Sequence, residues 1–296
     1  MTNEITRIET AAEEMVVALA QTTDEQLIDL WLHGRCATTK RGYRAEVRRL
    51  LAWTGKTLDG TTLADLQGFA DSLEAAGLEP ATRRRMLASV KSVFTFGHKL
   101  GYLPFDTARP LRLPPLRDTL AERILEESQV QRMLALERNP RNSVMLTLLY
   151  ASGVRVSELC GLTWGDCCER AQGGQISVFG KGAKTRAILI PAGVWRRLIA
   201  MKGDATGDAP VFRSRKGGGL SASQVLRIVK KAAARAGIPN NVVVHTFRHC
   251  HASHSLERGA SVALVGRTLG HSPASNATGR YLHARPNDSS SRYLPL

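Results

Sequence analysis

The stretch Ala-Ser-Gly-Val-Arg-Val-Ser-Glu-Leu, residues 151–159, marks the change from an apolar helix to a polar segment. The apolar run that starts near residue 141 predicts a buried helix, which ends where Gly153 breaks the pattern. Arg155 then begins a new helix, with Glu158 three residues further along. A guanidinium beside the free amides of a helix start can bind one phosphate. The alternative is a surface salt bridge between Arg155 and Glu158.

Further groups that suit phosphate chemistry follow Arg155 along the chain. Arginines carry permanent charge for the oxygens of a phosphodiester, lysine and histidine can move protons, and a tyrosine phenol can attack phosphorus. Because arginines supply the positive charge that a metal otherwise brings, neither a metal nor another cofactor is expected. The candidate catalytic residues are Arg155, Lys181, His245, Arg248, His271 and Tyr281.

Lys181 lies in a predicted hairpin turn, residues 180–184, between short β runs at 175–179 and 186–190. Lys184, in the same turn, is the competing candidate, and a basic hairpin that only touches a DNA backbone is the alternative for both. His245 and Arg248 are three residues apart near a predicted helix start, so they face one way.

The histidines around Arg248 also allow a zinc site, with His245 and His249 on one helix face. No Glu lies between them, which disfavours that interpretation. Packing or capping is expected instead for His249, His251 and His254. For His271, the alternative to a catalytic role is a cap on the helix that ends at Gly270.

Tyr281 follows His271 by ten residues, in Gly-Arg-Tyr-Leu-His. The Arg-Tyr-Leu triplet recurs around Tyr293, but that tyrosine lies close to the chain end, where precise positioning is difficult. We therefore expect Tyr281 to be the nucleophile. The alternative is a core aromatic on a short helix.

The chain of 296 residues has a net charge of +15, and most of the excess lies after residue 120. This basic balance favours a polyanionic partner, above all double-stranded DNA. Five irregularly spaced cysteines argue against a disulfide framework and fit a reducing cytoplasm. The sequence contains no run long and apolar enough to predict a membrane span, so no membrane association is expected.

The periodicity predicts two domains, mainly α-helical, with one small β-hairpin or sheet. Helical stripes fill residues 24–103, prolines punctuate a linker at 104–119, and the second domain covers 120–285. An acidic leader (1–23) and a short tail (286–296) flank them. Basic residues beside the stripes and in the hairpin are candidate DNA contacts, with a solvated face as the alternative: Lys40, Arg41, Arg44, Arg48, Arg83, Arg84 and Lys184.

With its motifs in this order, the chain resembles the tyrosine recombinase (phage integrase) family and is Xer-like in size. The resemblance is close over residues 120–285 and looser before them. It implies a SAM-like core-binding domain and a catalytic domain that close around duplex DNA as a clamp. One departure is the segment Ser275-Asn276-Ala277-Thr278, where the family often has a Thr-Thr pair. It leaves the local helix geometry open.

The resemblance also implies a reaction. Tyr281 would attack a phosphodiester to give a 3′-phosphotyrosine and a free 5′-hydroxyl. Lys181 would protonate the leaving oxygen, His271 would donate to a non-bridging oxygen, and Glu158 would orient the basic cluster.

A homotetramer on two DNA sites would exchange strands through a Holliday junction without ATP or metal, and the tail would dock on the neighbouring subunit. The alternatives are a type IB topoisomerase-like strand swivelase and a non-catalytic DNA-binding regulator on the same fold.

Overall fold

The computed structural model describes residues 23–180, 185–238, 242–271 and 277–281. The chain divides into two compact units between Arg117 and Asp118. The predicted fold class is confirmed, since the described residues are mainly helical with one small sheet. In this part of the chain, no helix has the length and apolar character needed to cross a membrane.

Apolar residues at helical spacing hold together the helices of the first unit. Val47, Leu66 and Phe94, on three different helices, are each 0 % exposed and share one core. Their burial is the main driving force for a small helical domain. The helices are α1 (Asp24–Leu32), α2 (Ala37–Thr54), α3 (Leu63–Ala75) and α4 (Pro80–Leu100).

Part of the proline-rich segment predicted as a linker is hydrogen-bonded to side chains of α4. Lys91 Nζ donates to three carbonyls of this segment, those of Ala108, Arg109 and Leu111, at 2.6–2.8 Å. Arg84 Nη1 donates to the Pro114 carbonyl at 2.7 Å. Up to Pro114 the segment therefore belongs to the first unit.

The second unit is built around a helix with a buried apolar face, α6 (Pro140–Ser152), in which Met145, Leu146, Leu148 and Leu149 are each 0 % exposed. The other helices of this unit are α5 (Glu127–Ala135), α7 (Val156–Gly161), α8 (Ala192–Ile199), α9 (Ala222–Arg235), α10 (Val244–Glu257) and α11 (Val262–Leu269). Short 3-10 helices cover Ala121–Arg123 and Trp164–Asp166.

The sheet of the second unit is antiparallel, in the order β1 (Cys167–Arg170), β2 (Gly173–Phe179) and β3 (Thr185–Pro191). Phe179 pairs with Thr185 in register, so β2 and β3 form the predicted hairpin. The first strand was not predicted from the sequence, because its residues, Cys-Cys-Glu-Arg, lack the alternation that marks a half-buried strand.

Gly174, on β2, lies directly against the ring of Trp195 on α8, so a substitution there probes how α8 packs on the sheet. A Cβ at this position would lie 2.0 Å from the ring of Trp195. Gly174→Ala should therefore lower the free energy of unfolding by about 1–3 kcal/mol, as overpacked cores do. Gly193→Ala is the control, because a Cβ there meets nothing within 4 Å. Chemical denaturation should separate the two variants, and equal stability would contradict this packing.

Candidate active site

Arg155 stands at the start of α7, after a turn that only glycine fits. Gly153 has φ +60°, and a Cβ there would lie 2.6 Å from Leu269 and 2.8 Å from His251. Arg155 is the N-cap of α7, and 34 % of its side chain is exposed. The glycine break and the new helix thus fall where the sequence predicted them.

The carboxylate of Glu158 is saturated with hydrogen bonds. It accepts the backbone N–H of Arg155 at 2.7 Å and Arg155 Nη1 at 2.8 Å. It also accepts Nη1 and Nη2 of Arg186, both at 2.9 Å. Burial opposes the negative charge, but the bonds from Arg186 and Arg155 outweigh it and lower the pKa of Glu158 to about 2. Glu158 is therefore a carboxylate at neutral pH.

Arg186 is a site residue that the sequence reasoning missed. Besides its fork onto Glu158, its Nε donates to the carbonyl of Thr268 at 2.7 Å, in the last turn of α11. Arg186 thus joins β3 to both α7 and α11. A signal existed in the sequence, because the alternation of β3 places Arg186 on the same face as the buried Ile188 and Ile190. An arginine on a core face requires a partner.

Arg248, on α10, is the most enclosed charge of the site. It is 2 % exposed, and it donates to the carbonyls of Gly153 at 2.7 Å and Leu269 at 2.6 Å. Burial, followed by the charge of Arg155, lowers the pKa of Arg248 to about 10, which keeps it charged at neutral pH. These two bonds bring the turn before Arg155 and the end of α11 to one guanidinium.

Tyr281 is buried, and its hydroxyl is bound by a histidine. The Tyr281 Oη lies 2.8 Å from Nδ1 of His249, and Tyr281 is 5 % exposed. Burial raises the pKa of Tyr281. Burial, with the neighbouring His245, lowers the pKa of His249 to about 4. Nδ1 of the neutral imidazole accepts the phenolic hydrogen in the tautomer that carries its own proton on Nε2.

His249 thus does more than the packing or capping that the sequence suggested. His249 and Tyr281 are 32 residues apart in the sequence, and no periodicity connects them. The ring of His245 meets that of His249 edge-on, with centroids 4.6 Å apart. Among the described residues, no group of three or more His, Cys, Asp or Glu is arranged to hold a metal ion.

His271 follows α11 and contacts Thr278. Its Nδ1 lies 2.6 Å from the Thr278 hydroxyl, and its backbone N–H donates to the carbonyl of Gly266 at 2.9 Å. Burial, followed by the charges of Arg248 and Arg155, lowers the pKa of His271 to about 4. Thr278 belongs to the segment that departs from the family pattern, and it supplies a partner for His271.

Two cavities give access to these groups. The larger, about 920 Å³, is bordered by Arg155, Arg186 and His271. The smaller, about 460 Å³, is bordered by Arg123, His245 and His249. A phosphate in the larger cavity would meet Arg155 and Arg186, and one in the smaller cavity would meet Arg123.

Several predicted residues lie outside the described part of the chain. These are Lys181 and Lys184 of the hairpin turn, the leader up to residue 22, and the tail at 286–296, which includes Tyr293. The strand ends that flank the turn, Phe179 and Thr185, are described and paired.

Four of the six basic residues predicted to contact DNA in the first unit have partners within that unit. Arg44 pairs with Asp29, Arg48 with Glu25 at 2.8 Å, and Arg83 with Glu74 at 2.8 Å. Arg84 binds the Pro114 carbonyl. No ion pair of Lys40 or Arg41 is found among the residues that the structure describes. Contact between DNA and these side chains remains a prediction.

His249 and His271 should make stability depend on pH. Each has its pKa lowered from 6.5 to about 4, so the unfolded chain binds more protons than the folded one between these values. The free energy of unfolding should therefore fall as the pH falls through this window, by up to about 3 kcal/mol for each histidine. Urea denaturation across the window measures it. In His249→Gln the loss should be smaller, and an unchanged loss would contradict the neutral state of His249.

Comparison with known proteins places this geometry in a family. The model of the phage integrase family matches residues 123–288, and that of the phage integrase N-terminal SAM-like domain matches residues 23–99. Tyrosine recombinase XerC of Xylella fastidiosa (strain M23) is 32 % identical over 80 % of this chain and 83 % of its own.

A second relative, tyrosine recombinase XerC of Corynebacterium efficiens, is 36 % identical over 81 % of this chain and 79 % of its own. A crystal structure of a lambda integrase tetramer bound to a Holliday junction shares the fold, with a TM-score of 0.72, 16 % identity and coverage of 90 % of this chain and 79 % of the other. The motifs, the fold and these relatives agree, and the chain belongs to the phage integrase family of tyrosine recombinases.

Proposed function

We propose that this protein is a site-specific recombinase that cuts and rejoins DNA through a covalent bond to Tyr281. One observation carries the proposal: the buried guanidinium of Arg248 binds both the turn before Arg155 and the end of α11 before His271. Residues from separate parts of the chain thereby form one cationic site. Tyr281 lies beside this site, close enough for the charge of Arg248 to favour its phenolate.

The basic cluster would bind the scissile phosphate. Arg248 uses one N–H of each terminal nitrogen for a carbonyl, and a guanidinium has five N–H groups. The remaining donors, with those of the partly exposed Arg155, suit the two non-bridging oxygens. His271 would add a further hydrogen bond. The arginines would stabilise the charge that develops in the transition state, so the reaction needs no metal.

The hydrogen bond between His249 and Tyr281 concerns the protonation state of the nucleophile. Burial lowers the pKa of His249 to about 4 and raises that of Tyr281, so proton transfer from the phenol to the imidazole is strongly unfavourable in the free protein. The phenol therefore stays neutral in the free protein. A bound phosphate would bring negative charge that raises the pKa of both His249 and Tyr281, so it would not by itself make this transfer favourable.

Cleavage of the DNA strand would then be a transesterification, in which one phosphate ester replaces another and the bond energy is retained. As the Tyr281 oxygen forms a bond to phosphorus, its proton passes to His249. The bond to the 5′-oxygen breaks, and Lys181 gives that oxygen a proton. The resulting 3′-phosphotyrosine is attacked by the 5′-hydroxyl of the partner strand, which releases Tyr281. Because the ester is conserved, ATP is not required.

Two such rounds would pass through a Holliday junction on a homotetramer that holds two sites, with both domains clamping the duplex. The lambda integrase neighbour, described as a tetramer bound to a Holliday junction, supports this assembly. The cysteines Cys36, Cys160, Cys167, Cys168 and Cys250 are free, which fits work in a reducing cytoplasm.

Tyr281→Phe should abolish the covalent adduct with a nicked suicide duplex while DNA binding persists, because only the hydroxyl is removed. The duplex would be built on a site selected from a randomised library and tested in buffer with EDTA. Tyr293→Phe is the control and should form the adduct normally. A dead Tyr293→Phe variant would overturn the assignment. Adduct formation without recombination of two sites would instead favour the topoisomerase alternative.

Lys181→Ala should slow cleavage strongly, because the leaving 5′-oxygen would no longer receive a proton. A duplex with sulfur at the 5′-bridging position should restore the rate, since a thiolate leaves without protonation. Single-turnover adduct formation on the two substrates measures this. If sulfur brings no rescue, the proton donor lies elsewhere, and Lys184→Ala becomes the variant to compare.

A further inference from the structure

Glu158 faces two arginines but can neutralise the charge of only one. Arg186 meets it with a fork, in which Nη1 and Nη2 each lie 2.9 Å from a different carboxylate oxygen. The Arg155 guanidinium reaches the same carboxylate through Nη1 alone, at 2.8 Å. Because the two-pronged geometry is the stronger and more directional one, the principal ion pair is that of Arg186 with Glu158.

Burial separates the roles of the two arginines. The side chain of Glu158 is 2 % exposed and that of Arg186 13 %, whereas Arg155 keeps 34 % of its side chain exposed. The bond from Arg186 Nε to the Thr268 carbonyl, at 2.7 Å, also fixes Arg186 in place. Arg155 is therefore the better placed of the two to reach a phosphate.

We propose that Arg186 is a positioning residue that neutralises Glu158 and so leaves the charge of Arg155 available to the scissile phosphate. This inference rests on the proposed function. Arg155, Arg186 and Arg248 with Glu158 combine three positive charges and one negative charge. Without Arg186, the Glu158 carboxylate would cancel Arg155, and the phosphate would meet little more than the charge of Arg248.

The loss would matter most in the transition state. The phosphate gains negative charge as the tyrosine oxygen adds, so charge removed from the cluster is felt more in cleavage than in binding. Arg186→Gln should slow single-turnover adduct formation by about 10- to 100-fold. Losses of this size are typical in metal sites when a residue that hydrogen-bonds to a metal ligand, and so positions it, is removed. The affinity for the same duplex should change much less.

A second substitution separates charge from scaffolding. Adding Glu158→Gln to Arg186→Gln removes the uncompensated carboxylate and returns the cluster to its original net charge, so the double variant should cleave faster than Arg186→Gln alone. Arg186→Lys, which keeps the charge without the fork, should also cleave faster than Arg186→Gln. If Arg186 were only a scaffold, the double variant would be at least as slow as the single one.

Arg235→Gln is the matched control, because Arg235 pairs with another buried carboxylate, Glu137, that belongs to neither the cluster nor the cavities. It should cleave at the wild-type rate. All variants are compared below their melting transitions, located by circular dichroism. A 5′-bridging sulfur should not rescue Arg186→Gln; rescue would mean that Arg186 acts through the Lys181 hairpin and would overturn the inference.

The two levels of failure are distinguishable. If the wild-type protein forms no adduct with the suicide duplex, the proposed function fails. If wild type forms the adduct but Arg186→Gln cleaves normally, or the double variant is no faster, only the role of Arg186 is wrong.

Discussion

The catalytic unit depends on one buried carboxylate that is surrounded by cations. An ionised Glu158 with only 2 % of its side chain exposed would be strongly destabilising without partners, and Arg155 and Arg186 supply four N–H donors to it. These donors come from the start of α7 and from β3. Satisfying the carboxylate therefore fixes the relative placement of a helix and a strand, and with them the residues at the edge of the site.

Arg248 extends the same principle to the remaining elements. Its bonds to the Gly153 and Leu269 carbonyls satisfy backbone acceptors at the ends of α6 and α11. Ordinarily such acceptors are capped by backbone or by water. Here a side chain that also belongs to the candidate active site caps them. The geometry of the site therefore depends on the same hydrogen bonds that complete the ends of two helices.

Much of the fold follows from local patterns in the sequence. The stripe containing Leu87, Val90 and Phe94 predicts α4, and the turn between two alternating runs predicts the β2–β3 hairpin. The family and the order of its motifs are also readable from the chain. Strand β1 is not, because it is formed by pairing with β2 rather than by its own composition.

The contacts missed at the site are long-range. Arg186 meets Glu158 across 28 residues, and His249 meets Tyr281 across 32. Periodicity describes which face of an element a residue occupies, but not which residue of another element it meets. The bond between His249 and Tyr281 was therefore not predicted, while Arg186 carried only the indirect signal of an arginine on a core-facing strand position.

Arg248 both completes the ends of two helices and belongs to the candidate active site, which restricts the substitutions by which this protein can lose its activity. A substitution that removed the guanidinium would leave two buried carbonyls without their donor and open a space the size of an arginine side chain. Such a chain would be penalised in folding as well as in chemistry. Relatives that abandon catalysis at this position would have to rebuild the interior around it, whereas a change confined to the Tyr281 hydroxyl would silence the enzyme and spare the architecture.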